Sequence, residues 1–207
     1  DQRLSRGLGD VYKRQVVVID LEDFSIPVAI STPSISANDL RDISSSQYQD
    51  LLNDPTRPLF NRAFMGLYPP ASAIKPLLTI FALNNEYTNW TETILDDGFF
   101  RFEEEERVFN AWREGGHGLT DLEKALVESS NPFFMNLSIR YEKDLFVEFL
   151  KSSSFGSKLC EDCYPHQFSP LINDDWKYKN FGKELYKGDF INLGVGQGYM
   201  LTTPLHL

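Results

Sequence analysis

The chain has 207 residues and is 42% hydrophobic and 14% aromatic, enough for one ordinary domain with a real core and too apolar for a disordered segment. Its 30 acidic residues outnumber 20 Lys and Arg, giving a formal net charge of −10, which argues against nucleic acid as a partner because phosphate binding draws on a basic surface. No stretch reaches the ~18 consecutive apolar residues of a membrane-spanning helix.

Residues 1–15 lack apolar periodicity and resemble translated adapter sequence, so the fold is read from residue 16; a structured N-terminal arm is the alternative. Val16-Val17-Val18-Ile19-Asp20 predicts a buried strand, and residues 27–31 predict its hairpin partner across a polar turn. Residues 38–61 are polar, carry Pro55 and Pro58, and predict a long surface loop with a short helix.

The run Tyr68-Pro69-Pro70-Ala71-Ser72-Ala73-Ile74-Lys75-Pro76 follows. Proline disfavours α geometry in the residue before it, so the double proline keeps a helix from starting early. Residues 73–83 are rich in Leu, Ile and Ala and predict a helix. Ser72 then falls at a helix N-terminus, with Lys75 about one turn on and facing the same way. Burial and the helix dipole favour a neutral amine, which could take the hydroxyl proton and make Ser72 a nucleophile. Read alone, Ser-x-x-Lys is more often an N-cap serine followed by a solvated lysine.

Residues 84–118 read as irregular, and the acidic run from Glu103 to Glu106 as a solvated face. Thr120-Asp121-Leu122-Glu123 has the capping-box pattern and predicts a helix to Val127. Ser129-Ser130-Asn131 lies between two predicted helices. Its plain reading is a helix cap; its functional reading is a second hydroxyl and an amide delivered to Ser72. Asn131 is the expected cap of a helix opening at Pro132 and running to Tyr141, with another over residues 144–151. Cys160 and Cys163, with His166 nearby, could be half a zinc site or a redox pair. No second Cys/His cluster follows, which favours a loop disulfide or two idle thiols. Residues 158–187 read mostly as loop, followed by the apolar Ile191-Asn192-Leu193 and the glycine-spaced Gly194-Val195-Gly196-Gln197-Gly198.

Ser-x-x-Lys followed by Ser-x-Asn resembles the opening of the penicillin-binding protein and serine β-lactamase signature. Longer strings are more specific. Leu51-Leu52-Asn53-Asp54-Pro55, Asn61-Arg62-Ala63, Gly66-Leu67-Tyr68-Pro69-Pro70, Trp112 with Gly116-His117-Gly118, Glu128 to Asn131 with Phe133-Phe134, and Gly196-Gln197-Gly198-Tyr199 with Thr203-Pro204 all occur in order. Together they resemble the transpeptidase domain of class B penicillin-binding proteins, most like the elongation-type penicillin-binding protein 2 group. The resemblance implies an α+β fold, an antiparallel sheet flanked by helices as in serine β-lactamases, with residues 16–207 forming the N-terminal part of the domain.

It also implies a peptidoglycan D,D-transpeptidase that crosslinks the cell wall during elongation. Ser72 would be acylated by the D-Ala-D-Ala end of a stem peptide, or by a β-lactam. Lys75 would be the general base, Ser129 would pass a proton to the leaving amine, and Asn131 would orient Lys75 and the substrate amide. The implied location is the bacterial inner membrane with the catalytic domain in the periplasm, beside a membrane glycosyltransferase. No cofactor is implied. The alternatives are a serine β-lactamase or β-lactam sensor, against which the Tyr-Pro-Pro and Gly-Gln-Gly-Tyr strings argue, and a non-catalytic scaffold domain.

Three departures stand out. Relatives usually have Gly where Ala71 stands. Some relatives hold a metal near Ser-x-Asn with Asp, His and Cys; the matching positions here read Asp97, Ala111, His117 and Ser130, two of them non-ligands, so no metal is expected and His117 is expected to be a packed or capping histidine. The family's third motif, Lys-Thr/Ser-Gly, occurs nowhere in the chain. The expectation is therefore a fragment, truncated before the later sheet strands and inactive by itself, lacking the carboxylate-binding motif and one oxyanion donor.

Overall fold

The computed structural model describes residues 13–102, 106–159 and 167–207. Most of the segment expected to be adapter-derived, most of the acidic run at Glu103, and Cys160, Cys163 and His166 lie outside the described residues. The described residues form two compact units, one of residues 13–67, 167 and 203–206, the other of residues 68–102, 106–159, 168–202 and 207. The class is α+β, and every strand pair among the described residues is antiparallel.

In the first unit, β1 (Arg14–Val18) and β2 (Val28–Thr32) form the expected hairpin, in register Val16 to Ile30. It begins at Arg14, two residues before the expected start, and its turn closes with Asp20 N–H donating to Ser25 O at 2.9 Å. The strand expected to be buried is half exposed, with Val16 at 49% and Val18 at 44%. The expected long loop instead holds α1 (Ala37–Arg41) and α2 (Ser45–Asn53), and α3 (Arg62–Met65) follows it. Local caps explain this. Ser36 caps α1, a Ser44–Gln47 capping box starts α2, and Asn61 accepts from the Ala63 and Phe64 amides to start α3. Ser31 Oγ donates to Phe60 O at 3.2 Å and accepts from Arg62 N–H at 2.9 Å, tying hairpin to helix. The Arg62 guanidinium is buried and donates to the carbonyls of Thr56, Arg57 and Phe60, so its charge is compensated where it sits.

The second unit is mainly helical. Its elements are α4 (Lys75–Asn84), β3 (Ile94–Asp96), β4 (Phe99–Phe102), β5 (Arg107–Asn110), β6 (Gly118–Thr120), α5 (Leu122–Val127), α6 (Asn131–Ser138), α7 (Lys143–Ser152), α8 (Asp174–Phe181) and α9 (Lys187–Leu193). β3 pairs with β6 and β4 with β5, so the stretch read as irregular contains two small ladders. The helix α8 lies in a stretch read as loop, and the short apolar run is the end of α9. The core takes Leu78, Phe81 and Ala82 from α4, spaced i, i+3, i+4 on one face. Phe133, Phe134 and Leu137 of α6, Phe146 and Leu150 of α7, and Ile191 and Leu193 of α9 complete it. Full burial of side chains this large contributes roughly 1.5–3 kcal/mol each. A Cβ added at Gly194 would lie 2.5 Å from Ser138 Cβ, so glycine lets the end of α9 approach α6.

Candidate active site

The site is built entirely within the second unit. After Pro69 and Pro70 the chain makes a single 3₁₀ turn, Ala71–Ile74, and α4 begins only at Lys75. Ser72 therefore lies in that turn rather than capping a helix, and Lys75 is the first residue of α4. Ala71 has φ +51°, and its N–H donates to Gly196 O at 2.9 Å. A Cβ at Gly196 would stand 2.3 Å from Ala71 O. Tyr68 and Thr202 exchange both backbone hydrogen bonds at 2.8 Å. The chain leading into Ser72 is thus pinned at Tyr68 and Ala71 by Thr202 and Gly196, in a stretch that the sequence alone offered only as a family resemblance.

From the other side, α5 ends at Val127 and the chain turns sharply into α6. Ser129 takes φ +55° and Ser130 caps α6, its Oγ accepting from Phe133 N–H at 3.2 Å. Asn131, expected as the cap, is the first helical residue instead, and the helix stops at Ser138, short of Tyr141. Likewise α5 is capped by Asp121, whose Oδ1 accepts from Lys124 N–H at 2.9 Å, and not by Thr120, which sits in β6.

The four residues singled out by sequence meet. Ser129 Oγ lies 2.9 Å from Ser72 Oγ, across 57 residues of chain. Lys75 Nζ lies 3.2 Å from Ser129 Oγ, 2.9 Å from Ser129 O and 2.8 Å from Asn131 Oδ1. Its side chain is 2% exposed, and Nζ stands 5.1 Å from the centre of the Phe134 ring. Ser72 is exposed, open to a reactant. Burial pushes the Lys75 amine down to about 8, while the negative charge of Asp96 pulls the other way. Hydroxyl protons rotate, so the same heavy-atom positions serve two proton orders: Ser129 donating to Ser72, or Ser72 to Ser129 and Ser129 to a neutral amine.

Asp96 is the residue the sequence reading missed. It had assigned the neighbouring Asp97, which is exposed. Asp96 is fully buried; its Oδ2 accepts from Ser130 Oγ at 2.6 Å and lies 2.8 Å from His117 Nδ1, and its Oδ1 accepts from Gly98 N–H at 2.9 Å. Burial works to raise its carboxyl, but the bonds from Ser130, His117 and Gly98 outweigh that and hold it below the usual carboxylate range. Strand alternation gives the reason for the slip. Along Ile94-Leu95-Asp96, the first and third residues face inward and Leu95 is exposed. His117 is a packed histidine beside the Trp112 ring, its Nε2 buried and 3.7 Å from Glu128 Oε2.

This donor set does not fit the metal some relatives hold. Asp96 and His117 offer two ligands, Ser130 offers a neutral hydroxyl, and Ala111 offers none. Among the described residues no three His, Cys, Asp or Glu side chains converge as a metal site.

The model of the penicillin-binding protein transpeptidase domain matches residues 15–207. The chain is 36% identical over 196 residues to the peptidoglycan D,D-transpeptidase MrdA of Haemophilus influenzae and 35% identical over 193 residues to that of Escherichia coli K12, covering 94% and 93% of this chain. It spans 30% of the length of each of these relatives. Among solved structures it resembles penicillin-binding protein 2 of Pseudomonas aeruginosa (TM-score 0.85, 29% identity, 94% of this chain and 44% of that one) and of Helicobacter pylori (TM-score 0.84, 31% identity, 94% and 37%).

Proposed function

The chain belongs to the penicillin-binding protein transpeptidase family, and on that footing we propose that Ser72 is the acyl-forming nucleophile of a peptidoglycan D,D-transpeptidase. The observation that carries this reading is the continuous path Ser72 Oγ–Ser129 Oγ–Lys75 Nζ, with hydroxyl and amine steps of 2.9 and 3.2 Å. Such spacing allows proton transfer. Ser72 Oγ attacks the carbonyl of the penultimate D-Ala of a stem peptide, and its proton passes through Ser129 to neutral Lys75. In this reading the Ser72 backbone N–H serves as one donor to the developing oxyanion. Collapse of the tetrahedral intermediate breaks the peptide bond, and Ser129 returns the proton to the departing D-Ala amine. An amine of a second stem peptide then takes the acyl group from Ser72. Asn131 Oδ1, 2.8 Å from Lys75 Nζ, keeps that amine in place and leaves its amide nitrogen for substrate backbone. A β-lactam carbonyl would be trapped as the same ester.

The reading places this site on the periplasmic side of the bacterial inner membrane, in elongation, beside a glycosyltransferase that makes the strands to be crosslinked. One structural relative, the Helicobacter pylori penicillin-binding protein 2, is known in complex with MreC. No helix among the described residues is long and apolar enough to cross a membrane.

The test is fluorescent-penicillin labelling of a protein that carries this sequence together with the Lys-Thr/Ser-Gly motif, followed by peptide mapping. The expected result is one ester at Ser72, absent in Ser72→Ala. A label on another residue, or full labelling of the variant, removes Ser72 from the role.

A further inference from the structure

The mechanism above uses Ser129 and Asn131 but says nothing of the residue between them. Ser130 has no exposure, and its hydroxyl makes two bonds, donating to Asp96 Oδ2 at 2.6 Å and accepting from Phe133 N–H at 3.2 Å. Because Ser130 is peptide-bonded to both neighbours, fixing it fixes where Ser129 Oγ and Asn131 Oδ1 meet Lys75. Ser129 itself is at φ +55°, a conformation an L residue keeps only where its surroundings enforce it. The enforcing group is itself immobilised. Both oxygens of Asp96 are occupied, and the Asp96 carbonyl accepts from His117 N–H at 3.0 Å.

We infer that Asp96 is a positioning residue that holds the Ser129–Asn131 turn through Ser130, and that this hydrogen-bonded junction with His117 works without the cation used in some relatives. The chemistry follows from the substitutions themselves. A neutral serine hydroxyl is a poor metal ligand but a good donor to a buried carboxylate, and such charge-assisted bonds are short and strong. Ala111 supplies no carboxylate, and among the described residues no three His, Cys, Asp or Glu side chains converge there to close a coordination sphere.

The inference rests on the reading of Ser72 as nucleophile, and the experiment separates the two. Penicillin acylation of a protein that carries this sequence together with the Lys-Thr/Ser-Gly motif is followed against pH for the wild type, Asp96→Asn, Ser130→Ala and Asp97→Asn, with and without chelator, alongside elemental analysis for metal. A misplaced turn should slow acylation roughly ten- to hundredfold in both Asp96→Asn and Ser130→Ala. Asp96→Asn should also move the rise of rate to lower pH, because it removes the charge that favours protonated Lys75; loss of scaffolding alone would not move it. Around Lys75 the polar neighbours are Ser129 and Asn131, and Asp96 is the charge that acts on it. Asp97→Asn should behave as wild type, and chelator should change nothing.

Wild-type rates in both slow variants, an unmoved profile in Asp96→Asn, stoichiometric metal, or loss of activity with chelator would each overturn the inference. If Asp96→Asn does not fold, Ser130→Ala against Ser130→Thr decides. Thr keeps the hydroxyl and should restore most of the rate; failure to do so counts against the junction. If even the wild type is not acylated, it is the nucleophile reading that falls. Amide exchange over residues 129–133 then judges the junction alone: faster exchange in Asp96→Asn upholds it and unchanged exchange overturns it.

Discussion

Lys75 concentrates the physical tension of the site. An amine of ordinary value 10.5 would be about one part in a few thousand neutral at pH 7, whereas at about 8 roughly a tenth is. A general base must be neutral, so acylation should rise with pH through about 8 and then level off, as read from the rate of penicillin labelling. Lys75→Arg keeps the charge but cannot shed a proton, and should cost on the order of 10²–10⁴ in that rate. The same shift bears on stability. Between about 8 and 10.5 the unfolded chain binds a proton the folded one has released, so this group makes stability rise with pH across that window. Sequence reasoning singled out Lys75, Ser72, Ser129 and Asn131 by residue type and short spacing, and the structure brings the four side chains together. It chose Asp97 over Asp96 because nothing in a bare Asp-Asp pair says which one faces inward; that needed the strand β3.

At the scale of elements, the turn at Ala71–Ile74 decides where Ser72 stands, and its backbone is strained at one point. Ala71 at φ +51° carries a cost of roughly 1–2 kcal/mol that glycine avoids, against a loss of about 0.4–1 kcal/mol from greater unfolded-state freedom. Ala71→Gly should therefore stabilise the protein by up to ~1.6 kcal/mol in chemical denaturation, leaving the Ser72 labelling site unchanged. Gly196→Ala should do the reverse and cost more than about 2 kcal/mol, since its Cβ would meet Ala71 O at 2.3 Å and its own φ is +65°. The helices α5 and α6 were legible because capping-type residues stand within a residue of their starts, with a proline near the start of α6. The ladders β3–β6 and β4–β5 were not, because strands of three or four residues are too short for alternation to register. Helix α8 was hidden by its composition, Asp-Asp-Trp-Lys-Tyr-Lys-Asn-Phe, which has almost no apolar face.

At the scale of the whole molecule, the second unit is organised around α4, which carries Lys75 at one end and the aromatic cluster further along. Phe81 packs edge-on against Tyr141 at 4.9 Å and Phe146 at 5.5 Å, and is 1% exposed. Phe81→Ala should cost about 3–5 kcal/mol by urea unfolding, through the cavity left among those rings. The family, the α+β class and the identity of four side chains that meet were written in the sequence, because the residues within each motif are near one another in the chain and each motif depends on residue type. Local spacing also set the caps and the hairpin. What only the tertiary structure decided is contact across distance: Ser72 meeting Ser129 over 57 residues, Gly196 clasping Ala71, and Asp96 reaching Ser130 over 34. No local pattern encodes such meetings. They exist because burying α4, α6 and α9 against one another brings the loops at their ends together, and the polar groups on those loops must then satisfy each other in the absence of water.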